Sequence, residues 1–271
     1  MFQIRHIDSL DLPELAPYRT MRRHHEHVLQ RIFVAEGDKV VRRLLETPFT
    51  VESILMVEKW LPELREVLTA RQENIQVFVV PKEVMEQLVG FTIYQGILAV
   101  AKFPEPPALD DVLATAPSPR LLVALDGLAD AENLGVVVRN SVAFGVHLLI
   151  AGESCASPYM RRAVRNSMGT IFKLPIIESP SLVETLLYLR SRGVRCIAAH
   201  GHSTSQTLGK CDLSGDCCIV LGSEGNGVSP AVLAACDEAV AIPMANEVDS
   251  LNVANAAAVF LYEAARQRGA M

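Results

Sequence analysis

Residues 242–267 read IPMANEVDSLNVANAAAVFLYEAARQ, a polar stretch that runs into a long apolar one. Ser250 and Asn252 are both helix N-cap candidates, because a short side-chain oxygen accepts from a free N–H of the first turn. From Val253 to Tyr262 the chain is alanine-rich and apolar on nearly every face. A helix without a polar side has to be covered all round, inside a core or across an interface. Its polar residues crowd at the entrance: Asn246, Glu247, Asp249, Ser250, Asn252 and Asn255. Such a mouth suits a loop that grips a ligand before entering the fold. Taken alone, a capped core helix is the plainer reading.

A second stretch shifts that balance. Residues 217–229 read CCIVLGSEGNGVS, a short apolar strand running into Gly222, Gly225 and Gly227. Glycine lets the backbone approach a ligand closely. The spacing is not the G-x-G-x-x-G of dinucleotide folds, and no helix with a ribose-binding acid comes after it. Two ligand-like loops, each leaving an apolar strand, say more together than either does alone.

The bounds are ordinary. The chain has 271 residues, 50% of them apolar, which suits one or two domains. No apolar run approaches the roughly twenty residues that span a bilayer. The opening MFQIRHIDSLDLPEL lacks the apolar segment of a secretory signal. A cytoplasmic protein is expected. Cys155, Cys196, Cys211, Cys217, Cys218 and Cys236 form no C-x-x-C pair, and no histidine is spaced to complete a zinc set. Neither disulfides nor a metal are expected. The formal charge of −6 does not advertise nucleic-acid binding. The positive groups are bunched, however: Arg19, Arg22, Arg23, His24, His25, His27 and Arg31 in one cluster, Arg161, Arg162 and Arg165 in another. Each is either a solvated helix face or a phosphate contact.

Taken in order, residues 28–103 read as a compact α/β unit. Its strands are VESILMV (51–57), IQVFVV (75–80) and GILAVAKF (96–103). Its helices include one with Val40, Val41, Leu44 and Leu45 as an inward stripe. Nothing in it has the makings of a catalytic centre, so it reads as a binding module. Residues 1–27 read as an N-terminal extension. Five prolines between 104 and 119 mark a semi-rigid linker without a long helix. From residue 120 onward, strands and helices alternate as a mostly parallel sheet with helices on both sides. In such sheets ligands bind at the carboxyl ends of strands, where both suspect loops leave. Asn133 reads as a helix cap, with Arg139 inside that helix among Gly135, Val136, Val142 and Ala143. An arginine so placed either pairs with a buried carboxylate or projects into a cavity meant for an anion.

Four collinear blocks, ENLGVVVRNSVAFGV, RNSMGTIF, IVLGSEGNGVS and IPMANEVDSLNVANAAAVFLYE, resemble the signature blocks of the SpoU (TrmH) family. Its members are S-adenosylmethionine-dependent RNA ribose 2′-O-methyltransferases, and the likeness covers residues 120–267. Residues 28–103, with FVAEG at 33–37 and YQGILAV at 94–100, are similar to that family's optional L30e-like substrate-binding domain. The resemblance implies an α/β fold whose C-terminal segment is threaded into a trefoil knot, and a homodimer through that region. It implies cofactor contacts at Gly222, Ile242 and Leu251, and a catalytic set of Asn133, Arg139, Glu224, Ser250 and Asn252. Arg22, Arg23, Arg162 and Arg165 are the expected RNA contacts, with ribosomal RNA the favoured target and transfer RNA the second.

The chemistry implied is attack of a ribose 2′-oxygen on a sulfonium methyl, which needs no metal. A guanidinium rarely gives up its proton. Arg139 is therefore expected to hold the target phosphate and the developing alkoxide, while Glu224 orients Asn133 or Arg139. Two rivals stand beside this reading. One is a non-catalytic RNA-binding or assembly factor that keeps the fold. The other is a nucleotide-dependent oxidoreductase, against which the glycine spacing argues.

Overall fold

A computed structural model describes residues 2–89, 96–201, 206–246 and 248–270. Tyr94 and Gln95 of the YQGILAV block, residues 202–205 and Glu247 lie outside the described residues. The first half runs β1 (Phe2–His6), α1 (Ala16–Arg19), α2 (His24–Leu29), β2 (Ile32–Glu36), α3 (Asp38–Leu45), β3 (Val51–Val57), α4 (Trp60–Ala70), β4 (Ile75–Val80), α5 (Lys82–Val89) and β5 (Ile97–Lys102). Next come α6 (Leu109–Thr115), β6 (Leu121–Leu125), α7 (Ala131–Ala143), β7 (Leu148–Ala151), α8 (Arg161–Asn166) and β8 (Ile176–Glu178). The chain closes with α9 (Leu182–Ser191), β9 (Arg195–Ala199), β10 (Cys217–Leu221), α10 (Pro230–Ala235), β11 (Glu238–Val240) and α11 (Val253–Gln267).

Two units result, and neither is a continuous piece of chain. Unit 1 is residues 1–105 with 159–172; unit 2 is residues 106–158 with 173–271. In unit 1 the sheet order is β1-β4-β3-β5-β2, with β1, β4 and β3 parallel and β5 antiparallel to both β3 and β2. The stripe Val40, Val41, Leu44 and Leu45 is buried as the spacing requires.

Three boundaries differ from the sequence reading. Residues 1–27 are no extension: β1 pairs with β4, and Leu15, Tyr18 and Met21 enter the core. The Tyr18 hydroxyl is satisfied there by Ser53 Oγ at 2.8 Å. Residues 104–119 are not merely a linker, because the spacing of Leu109, Val112 and Leu113 gives α6 an apolar stripe that packs into the unit 2 core. Residues 159–172 cluster with unit 1 because Tyr159 and Phe172 stack on Phe33, with ring centroids 5.5 Å and 5.8 Å away.

Unit 2 carries a six-stranded sheet in the order β11-β9-β10-β6-β7-β8, every pairing parallel. β6 (LLVAL) and β10 (CCIVL) are buried at every residue, as strands covered on both faces must be. Because β10 lies between β9 and β6, the loops leaving β6, β9 and β10 emerge side by side at one end of the sheet. α11 packs against α7 by burying Val253, Ala254, Ala257, Phe260, Leu261, Ala264 and Ala265. Val259 and Tyr262 stay 38% and 51% exposed, so the side of this helix that they share with Asn255 is largely open among the described residues.

Candidate functional site

The glycine loop closes on itself directly after β10. Ser223 N–H donates to the Gly227 carbonyl at 3.1 Å, and Gly227 N–H donates back to the Ser223 carbonyl at 3.0 Å. Gly227 has φ +65°, a conformation that favours glycine. Gly222 is needed for a different reason. A Cβ there would lie 2.0 Å from the Gly227 carbonyl carbon and 2.2 Å from the Val228 nitrogen, both of them backbone. The loop exit is pinned by Asp126 at the end of β6, whose carboxylate accepts from Ser229 N–H at 2.7 Å.

α7 begins beside this loop. Its N-cap is Asp130, not Asn133: the Asp130 carboxylate accepts from the N–H groups of Glu132 and Asn133. Asn133 therefore sits inside the first turn, with its side chain free for other work. Its amide donates to Glu224 Oε1 at 2.5 Å, and its Oδ1 accepts from Asn252 Nδ2 at 3.1 Å. Asn252 in turn caps α11, accepting from Ala254 N–H at 2.9 Å. Ser250 is exposed and is not the cap of α11. Further along α7, Asn140 donates to the Ala254 carbonyl at 2.8 Å. The starts of α7 and α11 and the glycine loop are thus joined by side-chain amides.

Between these loops lies a cavity of about 550 Å³. Gly222, Ile242 and Leu251 line it, as do Glu224 and Ser250. Asn133, Arg139 and Asn252 do not. Among the described lining residues the charged side chains are carboxylates, Glu224 and Asp249, and no lysine or arginine contributes. Phe260 from α11, Met244 and His200 also border it. His200 escapes a motif reading, although it stands directly after β9, where the strand-end rule points.

Arg139 is exposed on α7 and makes no ion pair or hydrogen bond among the described residues. Among the described residues it neither meets a buried carboxylate nor lines the cavity, so neither sequence alternative is met within this chain. The reason is angular. Residues 133 and 139 lie six apart, which places their side chains on different faces of a helix with 3.6 residues per turn.

The basic clusters are weaker than their sequences suggest. Arg19 is spent on the carbonyls of Leu10 and Leu12, and Arg23 pairs with Glu26 at 3.2 Å. Burial lowers the pKa of His24 and His27, which disfavours their charged forms. Arg22, Arg162 and Arg165 are exposed. All six cysteines are free thiols. Burial pushes Cys217 up to about 11 and Cys236 to about 12, so neither is a ready nucleophile. Among the described residues no group of three metal-ligating side chains lies together, and no helix is long and apolar enough to cross a membrane.

This arrangement matches known proteins along nearly its whole length. The SpoU rRNA methylase family profile covers residues 120–262, and that of the MRM3-like substrate binding domain covers residues 18–99. An uncharacterised tRNA/rRNA methyltransferase of Mycobacterium bovis is 32% identical over 97% of this chain and 94% of its own. The SpoU methyltransferase AviRb from Streptomyces viridochromogenes superposes with a TM-score of 0.79 at 27% identity, covering 93% of this chain and 96% of that one. A structure of AviRb in complex with AdoMet gives 0.79 at 26% identity, over 94% and 100%. The fold and the cavity define an RNA methyltransferase of the knotted α/β type. The chain belongs to the SpoU rRNA methylase family, and its methyl donor is S-adenosylmethionine.

Proposed function

We propose that this chain methylates a ribose 2′-oxygen in RNA, with ribosomal RNA the favoured substrate, and that it works as a homodimer in the cytoplasm. The observation that carries the reading is the Glu224–Asn133–Asn252 chain of hydrogen bonds at the edge of a cavity whose charged walls are acidic. An acidic wall suits a cationic donor and repels a diphosphate, which argues against a dinucleotide-dependent oxidoreductase.

S-adenosylmethionine supplies a methyl group on a sulfonium sulfur, which leaves as a neutral thioether. The backbone at Gly222, Ile242 and Leu251 would hold the donor, with Glu224 and Asp249 favouring its positive charge. Glu224 fixes Asn133, and Asn133 fixes Asn252, so the rim of the cavity is rigid before substrate arrives. Ser250, exposed beside that rim, is placed to hydrogen-bond the acceptor ribose. Arg139 has no partner among the described residues of its own protomer and faces outward. In a dimer covering the bare face of α11, it would serve the cavity of the second copy, holding the target phosphate and the alkoxide that develops as the 2′-proton leaves. The proton departs through that phosphate or through water.

A non-catalytic RNA-binding factor is the second reading; the intact Asn133–Glu224–Asn252 chain disfavours it. Mapping ribose methylation across cellular RNA with and without the gene decides the matter. One or a few 2′-O-methyl sites are expected to vanish from ribosomal RNA. Loss of a transfer RNA site would move the target, loss of a base methylation would refute the ribose reading, and no change would favour the non-catalytic factor.

A further inference from the structure

Unit 1 contains a carboxylate that the methyl-transfer chemistry does not use. Glu36, the last residue of β2, has a side chain only 16% exposed. It pairs with Arg161, also 16% exposed, and at 3.4 Å with Arg165, which is 55% exposed. A half-buried ion pair of this kind is a poor source of net stability, yet removing one partner strands the other charge.

Around it, α8 is fastened from both ends. Tyr159, just before the helix, stacks on Phe103 at 5.0 Å and on Phe33 at 5.5 Å. Phe172, just after it, meets Phe49 at 5.4 Å. Arg43 of α3 donates to the Met168 carbonyl at 2.5 Å. Gly169, with φ +78°, lies so close to α3 that a Cβ would sit 3.3 Å from the Val40 α-carbon. The chain on either side of this segment belongs to unit 2, but the basic helix itself is held by the substrate-binding unit.

We propose that Glu36 is a positioning residue for RNA: it commits Arg161 to the interior and presents Arg165 at the surface to a backbone phosphate. Glu36 meets Arg165 through one N–H at 3.4 Å, and a guanidinium has five N–H donors, so a phosphate can take a bidentate contact beside the carboxylate. The inference rests on the RNA methyltransferase reading and goes beyond it by assigning a recognition contact to α8 and its orientation to β2.

The test uses the full chain. Methylation of protein-free ribosomal RNA gives KM and kcat, and binding of an RNA hairpin is measured against salt. Arg165→Ala leaves the Glu36–Arg161 pair intact and should raise the RNA KM about tenfold, the loss of one charge-assisted contact. It should also flatten the slope of log affinity against log salt by about 0.7–0.9, one phosphate's share. Glu36→Gln should reproduce both effects with unchanged S-adenosylmethionine affinity, and Glu36→Asp should recover part of them. An unaltered KM and salt slope in Arg165→Ala would overturn the proposal. So would a Glu36→Gln enzyme that is merely less stable, or one whose KM falls because the carboxylate had been competing with RNA. Should the wild type transfer no methyl to RNA, the functional reading fails, while the hairpin measurements still judge Glu36 and Arg165.

Discussion

Gly222 marks the tightest backbone approach at the site, since its missing Cβ is what allows the loop to close against Gly227 and Val228. Gly222→Ala cannot be relieved by a side-chain rotation, because the atoms it meets are main chain. It should cost about 3 kcal/mol, as overpacking does, and lower the Tm by about 6–12 °C, with S-adenosylmethionine binding lost in calorimetry. An alanine variant with wild-type Tm and affinity would show that the glycine loop is not a rigid cradle for the donor. At this scale the sequence is only half legible. Gly222, Ile242 and Leu251, the cofactor contacts that the family blocks imply, line one cavity. Asn133 reads as a cap because it precedes an apolar run. Asp130 takes that place, since its carboxylate reaches two free N–H groups. Which of two neighbouring polar residues turns back on the backbone depends on dihedrals that one sequence does not display. His200 carries no motif at all and declares itself only once β9 is placed beside β10.

Elements are legible wherever apolar runs and periodicity are strong. The strands at 51–57 and 75–80 and the stripe on α3 appear with the boundaries read from the chain. β1 escapes such a reading because FQIRH has only two apolar residues in five, and its place is set by pairing with β4 rather than by its own burial. α11 reads as apolar all round, and the structure divides that surface. One side is buried against its own unit, while Asn255, Val259 and Tyr262 share an exposed face. That face is where a second copy should pack. Val259→Glu places a charge on it without touching the core, so sedimentation should show a wild-type dimer and a folded monomeric variant with little methyl transfer. A wild-type chain that sediments as a monomer would contradict this assignment.

At the scale of the whole molecule, the chain is acidic overall, yet it acts on a polyanion. Under the proposal made above, position would reconcile these facts: carboxylates wall the cavity, while exposed arginines stand on α7 and α8. The knot is beyond any argument from periodicity, because true knots are rare and leave no compositional trace. Only the collinear blocks make it legible. The discontinuous division of the units is equally hidden, since the aromatic contacts joining residues 159–172 to β2 span more than a hundred positions. In the proposed mechanism the backbone loops hold the donor and the Arg139 guanidinium holds the acceptor's phosphate. Calorimetric titration of S-adenosylmethionine into Arg139→Ala, paired with a single-turnover methylation assay on ribosomal RNA, separates these two roles. Donor affinity should stay within about twofold of wild type while methyl transfer slows by about a hundredfold or more, as for loss of one preorganised electrostatic group. Weakened donor binding, or transfer at the wild-type rate, would contradict it.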